Sequence, residues 1–404
     1  MSVPDIILLL AWTLATGVWW ILIPARALWN GRRLVALSAL PYEKPERWPS
    51  VSVLVPARNE ERTLADAVRH LCKVDYPKLE IILVDDRSTD RTGEIVQRLA
   101  RQDARIRALR IEHLPAGWLG KVHALHRGVE ISRGEWLLFT DADVHLSSGV
   151  LKQAVAYCLR RKKGFLALLP RFRDTTHLVG ATQTAFATLL LSLLDTARNS
   201  DPDSPVAIGI GAFNLARRSH VELDEGLERL RMEVADDLGL ARMMKQRGAA
   251  IDLLSGRDSI EVDWYPTLVS MFDGVMQRLI MGARYYLSLY LLQCLFVGFC
   301  VVAPAGLAFA LAAYTPLAWL GLAVYGIPSL MLGLGMRNLA IQRALLWSLP
   351  IGFFLLAWGM LRSVVTCIRR GGIHWRDRVY PLRELRASQR VKMNPFTGRI
   401  ADWR

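Results

Sequence analysis

The chain has 404 residues, of which 52% are hydrophobic, with a mean hydropathy of +0.22 and a formal net charge of +14. The apolar residues gather in Ile6–Ile23 and Tyr286–Ile368, and between them lies a stretch of roughly 240 residues, long enough for one large α/β domain. Much of the positive excess flanks these apolar runs, which fits anionic lipid and a positive-inside orientation, and no nucleic-acid-binding signature is present.

In chain order, the first apolar run (within residues 1–30) has no basic region before it, carries Asp5, and is about span length. It therefore reads as a signal anchor with the N-terminus outside, because Arg26, Arg32 and Arg33 follow it. Pro41, Pro45 and Pro49 mark a linker into a domain at 45–267. Val51–Val55, Ile81–Val84 and Glu135–Thr140 are short apolar runs of buried-strand character, and Glu60–Leu71 and Thr92–Arg101 have helical spacing. This alternation predicts an α/β fold with a twisted, mostly parallel sheet, whose ligands sit at the carboxyl ends of the strands.

Leu178–Leu194 is apolar but interrupted by Thr182, Gln183, Thr184 and Thr188, a poor span, and residues 268–284 have the amphipathic pattern of a membrane-surface helix. Residues 285–368 predict a transmembrane bundle: two spans broken near Tyr314–Pro316, then Ala344–Ile368. Three crossings would put the basic tail, 369–404, outside, against the bias of its arginines. Pro350 and Gly352 therefore suggest that the last segment is a broken, re-entrant or interfacial hairpin, with the tail cytoplasmic. The five cysteines (72, 158, 294, 300 and 367) lack CxxC spacing and imply neither a disulfide framework nor a zinc site. No internal repeat or low-complexity tract is present.

Three polar clusters fall at strand ends. In Thr140-Asp141-Ala142-Asp143, two carboxylates one residue apart suit Mg²⁺ or Mn²⁺ bound together with a substrate diphosphate. Asp85 and Asp86 end the second strand, where a carboxylate can accept the N3–H of uracil. Pro56, Ala57, Arg58 and Glu60, in the turn after the first strand, suit a nucleotide. Lys121, in the glycine-bounded loop Gly117–Lys121, is placed to meet the donor phosphate or sugar. Asp236 and Asp237 precede a helix predicted at Leu238–Gln246; either could cap it, and the pair suggests a general base for an acceptor hydroxyl. A metal-held diphosphate on one face of the anomeric carbon and a carboxylate on the other gives single displacement with inversion.

Taken together, PARNE, VDDRSTD, GK, TDAD and ADDLGLA resemble family 2 glycosyltransferases of the GT-A fold over about residues 50–250. The resemblance implies Asp86 (or Asp85) at uracil, Asp141 and Asp143 at metal and diphosphate, and Asp237 as base in the place of the aspartate of the family's TED motif. The C-terminal half resembles the lipid-modifying branch, which includes ceramide glucosyltransferase-like and hopanoid- or carotenoid-associated enzymes. GGIHWRDRVYPLREL resembles that branch's tryptophan-arginine-tyrosine tail, which implies acceptor-side roles for Trp375, Arg376 and Tyr380, and Gly211–Asn214 resembles its acceptor loop. The family's QxxRW element is not intact; Gln277-Arg278 and Arg284-Tyr285 are the nearest residues.

The sequence thus predicts a multi-pass protein of the inner cell membrane whose cytoplasmic, metal-dependent domain moves one sugar from a nucleotide-sugar, UDP-linked, to a membrane lipid hydroxyl. A processive polysaccharide synthase is the alternative; three C-terminal spans are few for its channel. A membrane scaffold or transporter leaves the aligned acids unexplained, and Arg362 is the one clear ionisable residue within the spans.

Overall fold

A computed structural model of the chain describes residues 3–173, 176–304, 306–307, 326, 330, 348–375 and 378–392. The first strands form where the apolar runs predict: β1 (Val51–Ala57), β2 (Leu79–Asp86), β3 (Ile106–Ile111) and β4 (Trp136–Phe139). They are nearly continuous in buried residues because both faces of the sheet are covered. From β1, Leu54 enters one core and Val51, Val53 and Val55 the other, as the two-residue strand period requires.

With β6 (Phe165–Leu169), β8 (Asn214–Arg217) and β9 (Ile251–Ser255), these strands make a seven-stranded sheet in the order β3-β2-β1-β4-β8-β6-β9. All pairings are parallel except those of β8, which is antiparallel to both β4 and β6. A small second sheet joins β5 (Val144–Leu146), β7 (Arg171–Phe172) and β10 (Ile260–Val262). The first crossover helix starts later than its periodicity suggests: α2 spans Leu64–Cys72, because the amides of Glu60 and Glu61 bond Thr92 Oγ1 and Asp90 Oδ2 of the neighbouring turn. The helix after β2, α3 (Thr92–Gln102), matches its prediction closely.

At the N-terminus, α1 (Val3–Arg32) is one 30-residue helix, about 45 Å long. It packs on the 17-residue helix His177–Leu193, which in turn packs on Leu349–Arg370. In the middle helix the hydroxyls of Thr182, Thr184 and Thr188 bond back to carbonyls four residues earlier. These hydroxyls are thereby satisfied without water. Asn30 of α1 donates to the carbonyls of Leu191 and Leu194, supplying partners at that helix's C-terminus.

Leu349–Arg370 corrects one expectation. It is a single helix with Pro350 in its first turn, where proline is tolerated, so no break or hairpin forms there. Gly352 serves close packing instead: a Cβ there would lie 2.1 Å from the Ala181 carbonyl oxygen. Among the described residues, this helix is long and apolar enough to cross a membrane, and Leu268–Ala283 with Leu287–Val302 forms a second such unit bent by 106°. The predicted break near Tyr314–Pro316 lies outside the described residues. Residues 268–284 also differ from a surface helix. They run as α, π and 3-10 segments, and Met271, Phe272, Met276 and Ile280 are buried, with Phe272 and Met276 against Gly359. Much of their apolar face is therefore covered by protein, although Val269 is exposed.

The tail returns to the sheet-containing domain. Gly372–Trp375 and Arg378–Pro381 form a hairpin followed by the helix Leu382–Ser388. The His374 amide donates to Gln277 Oε1 (3.0 Å), and Arg386 donates to the Tyr285 carbonyl while lying 3.8 Å over the Tyr286 ring. The amides of Arg390 and Val391 both donate to Glu233 Oε2, at 2.8 and 2.9 Å.

Candidate active site

The site forms where the carboxyl ends of β1, β2 and β4 meet the helices Gly120–Ile131 and Asp236–Gln246. Lys121, in the first turn of Gly120–Ile131, bridges its halves: Nζ lies 2.8 Å from Asp141 Oδ1 and 3.1 Å from Asp236 Oδ2. Burial opposes the ammonium charge, but Asp141, Asp236 and Asp237 outweigh it and hold the lysine well above its ordinary pKa. The loop before it is fixed by Gly117, at φ +75°, and by the Leu119 amide, which donates to the Arg231 carbonyl (2.7 Å).

Asp236 and Asp237 open the helix rather than cap it; the N-cap is Ala235, which makes no side-chain cap bond. Asp237 accepts from the Leu238 amide (2.8 Å) and from the Gly211 amide (3.1 Å). Burial first, and the Asp236 charge second, push Asp237 up to about 6. Asn214 accepts from the Ile210 amide, which shapes the loop that places Gly211, and a Cβ on Gly211 would come within 2.8 Å of Asp141 Oδ2. One pocket is lined by Lys121, Asp141, Gly211, Asn214, Asp236 and Asp237 among others.

Asp143 is held well above the carboxylate range, first by burial and then by the charges of Asp141 and Glu60. A divalent cation fits such a repulsive cluster of hard oxygens, with diphosphate and water completing its shell. At the end of β2, Asp85 and Asp86 take different roles. Asp85 accepts the Ser88 amide and faces Gly93, whose Cβ would lie 2.7 Å from Oδ2, so it holds the turn against the following helix. Asp86 accepts from Arg87 Nε (2.7 Å) and Nη2 (3.0 Å), with Arg58 3.7 Å away. Gly120 admits this group: a Cβ would lie 2.4 Å from Asp86 Oδ2. Asn59 and Arg87 both adopt left-handed backbone, at φ 54° and 56°. Non-glycine residues hold that conformation only when their surroundings fix it.

Of the predicted acceptor-side residues, Gly211 and Asn214 join this pocket. Gln277 is buried beneath the tail as the acceptor for His374, and Arg278 is half-buried on the same segment. Tyr380 is buried in the hairpin within range of the charges on Arg378, Arg87, Asp86 and Arg58. The Trp375 backbone closes the first hairpin strand, and Arg376 lies outside the described residues.

The family described as glycosyl transferase family 2 matches residues 52–223. The chain carries a family 2 glycosyltransferase domain. It is 36% identical over 118 residues to a beta-monoglucosyldiacylglycerol synthase of Nostoc sp., covering 29% of this chain and 25% of that protein. It is 23% identical over 270 residues to the 4,4'-diaponeurosporenoate glycosyltransferase of Staphylococcus haemolyticus, covering 65% of this chain and 69% of that one. The first of these matches thus spans about a quarter of the relative's length. The mannosyltransferase PcManGT from Pyrobaculum calidifontis, solved in complex with GDP-Man and Mn²⁺, superposes with a TM-score of 0.55 at 19% identity, covering 87% of this chain and 99% of that one. That likeness concerns the GT-A fold, which the sheet order already displays.

Sequence reasoning missed the role of Glu233, three residues before Asp236 of the ADDLGLA segment. It is 1% exposed, and burial pushes its pKa up to about 7 despite the amides of Val391 and Arg390 that it accepts. The folded form holds this proton more tightly than the unfolded chain does. The stabilising contribution is therefore complete below about 4.5 and is lost as pH rises through about 7. Glu233→Gln keeps an acceptor and removes the charge. Across that window the wild type should lose on the order of a few kcal/mol more stability than this variant does, as thermal unfolding of both at several pH values will show. Identical pH dependence in both would mean that the tail does not bury this carboxyl.

Proposed function

We infer that the chain is an inverting, metal-dependent glycosyltransferase that moves one sugar from a UDP-sugar to the hydroxyl of a membrane lipid. The carrying observation is that Lys121 spans Asp141 and Asp236 while the Gly211 amide fixes Asp237, so donor and acceptor groups share one pocket. The acceptor O–H gives its proton to Asp237 as its oxygen bonds the anomeric carbon. The bond from that carbon to the diphosphate breaks on the opposite face, and Lys121 meets the charge that develops on the leaving group. Mg²⁺ or Mn²⁺ held by Asp141 and Asp143 would supply further neutralisation of the diphosphate.

Arg58, Glu60 and the turn at Pro56 and Ala57 border the nucleotide in this reading, with Asp86 at the base. Both Asp86 oxygens are already engaged by Arg87. That favours uracil, which offers one imide N–H, over guanine, which offers a two-donor edge. A multi-pass placement is supported by exposed apolar side chains on α1 (Ile7, Leu8, Ile21, Leu22), on Leu287–Val302 (Leu292, Leu295, Phe299) and on Leu349–Arg370 (Phe354, Trp358, Ile368). The tail's contact with Glu233 favours the same side of the membrane for tail and domain, the cytoplasm, where nucleotide-sugars are made. The names of the relatives, which act on a diacylglycerol lipid and a carotenoid acid, agree with a lipid acceptor.

The test is to incubate membranes containing the protein with UDP-glucose, UDP-galactose, UDP-N-acetylglucosamine or GDP-mannose and a lipid extract, then analyse products by mass spectrometry. A lipid carrying one hexose or N-acetylhexosamine, formed from a UDP donor, is expected. A polymer would show a processive synthase, and transfer from GDP-mannose alone would overturn the base assignment.

A further inference from the structure

Outside the transfer site, Asp66 and His70 on α2 meet His145 on β5. Their ligand atoms all lie within 4.8 Å of one another. The two Nδ1 atoms are 3.2 Å apart, and His145 Nδ1 is 3.5 Å from Asp66 Oδ2. Two nitrogens bound about 2.0–2.1 Å from one tetrahedral Zn²⁺ stand about 3.3 Å apart. His145 is also oriented for the task. Its Nε2 lies 3.0 Å from Asp263 Oδ2. That contact places the ring proton on Nε2 and leaves the Nδ1 lone pair facing His70 and Asp66, as in carboxylate–histidine–zinc arrangements. His145 is buried and fixed, while Asp66 and His70 are half-buried, so a cation would reach the site from solvent and keep one open position for water.

We propose that Asp66, His70 and His145 form a Zn²⁺ site that clips α2 to β5, beside the Asp141–Asp143 segment. The site uses no cysteine, so the cysteine spacing gave no sign of it. On binding, the His70 proton now directed from Nδ1 at the Asp66 carbonyl (3.0 Å) gives way, and the neutral ring takes the Nε2–H tautomer so that Nδ1 is free to ligate. The competing charges are known. Arg69 pairs with Asp66, and Arg173 Nη1 lies 3.0 Å from Asp263 Oδ2, 3.2 Å from His145 Nε2 and 3.9 Å from Asp66 Oδ2. Arg173 chiefly engages Asp263, which leaves the Nδ1 face of His145 to the cation. The clip has a direct route to the metal carboxylates, because the Asp263 amide donates to the Asp143 carbonyl (3.3 Å). Two imidazoles and one carboxylate suit zinc better than the magnesium or manganese expected at Asp141 and Asp143.

The test uses the full-length protein purified in detergent, stripped with chelator and titrated with ZnCl₂ by calorimetry, with Co²⁺ absorption reporting geometry. One equivalent of Zn²⁺ is expected in the wild type and in Asp143→Asn, with tetrahedral Co²⁺ bands in both. His70→Ala, at a half-buried position that tolerates truncation, should abolish that equivalent. Asp263→Asn should weaken it about 10–100-fold by releasing the His145 ring. Zinc retained in His70→Ala but lost in Asp143→Asn would assign the cation to the diphosphate site and overturn the proposal, as would the absence of any stoichiometric binding.

Discussion

Asp237→Asn is expected to lower sugar transfer by on the order of 10²–10⁴-fold while leaving donor binding intact, the usual cost of removing a positioned general base. The geometry adds a second signature. Asp237 sits near pKa 6 because it is buried beside Asp236, so the wild-type rate should climb as pH rises through about 6 and then level. That acidic limb should disappear in the variant, because an amide has no proton to lose. Asparagine has one acceptor oxygen for the two amides, Leu238 and Gly211, that the carboxylate serves now, so the Gly211 loop will shift slightly. Asp236→Asn separates this shift from chemistry: it frees Lys121 from one partner but leaves the Asp237 contacts, and should cost less. Initial rates across pH 5–8 in all three proteins decide the matter. A larger loss in Asp236→Asn would move the base to that residue.

Asp143→Asn should reduce transfer by on the order of 10³-fold or more, while thermal stability without substrate stays level or rises. The opposite signs follow from one fact. Asp143 resists ionisation because it is buried beside Asp141 and Glu60, so a neutral isostere relieves repulsion in the empty protein. The same substitution removes a ligand when a cation and diphosphate must be held. Transfer and unfolding temperature measured together, with Mg²⁺, Mn²⁺ or chelator, test both halves. Full activity in chelator, or a variant that loses stability and activity together, would remove the metal reading.

What could be read in the sequence was local. Val51–Val55, Ile81–Val84 and Glu135–Thr140 announce themselves because buried parallel strands need unbroken apolar runs, and the acids that follow each run land at the sheet's carboxyl edge once the strands are parallel. Asp85–Asp86 and Asp141–Asp143 were legible in this way, Asp236–Asp237 were legible instead as acids at the start of a predicted helix, and the GT-A fold came through the family resemblance. The outcome at Pro350 was not legible, because proline breaks a helix or begins one according to what precedes it, and Gly352 packs against a carbonyl more than 150 residues away. Nor was the packing of Phe272 and Met276 against Gly359: an amphipathic face fits a bilayer surface or another helix equally.

Tertiary structure alone decided the charges. Lys121 meets Asp236 across the pocket, Glu233 meets Val391 across 158 positions, and His145 on β5 meets Asp66 and His70 on α2. No periodicity encodes such pairs. A strand or helix is fixed by neighbours a few residues away, whereas a buried carboxylate's partners, and so its proton affinity, depend on whichever distant groups the packed chain brings within a few ångströms.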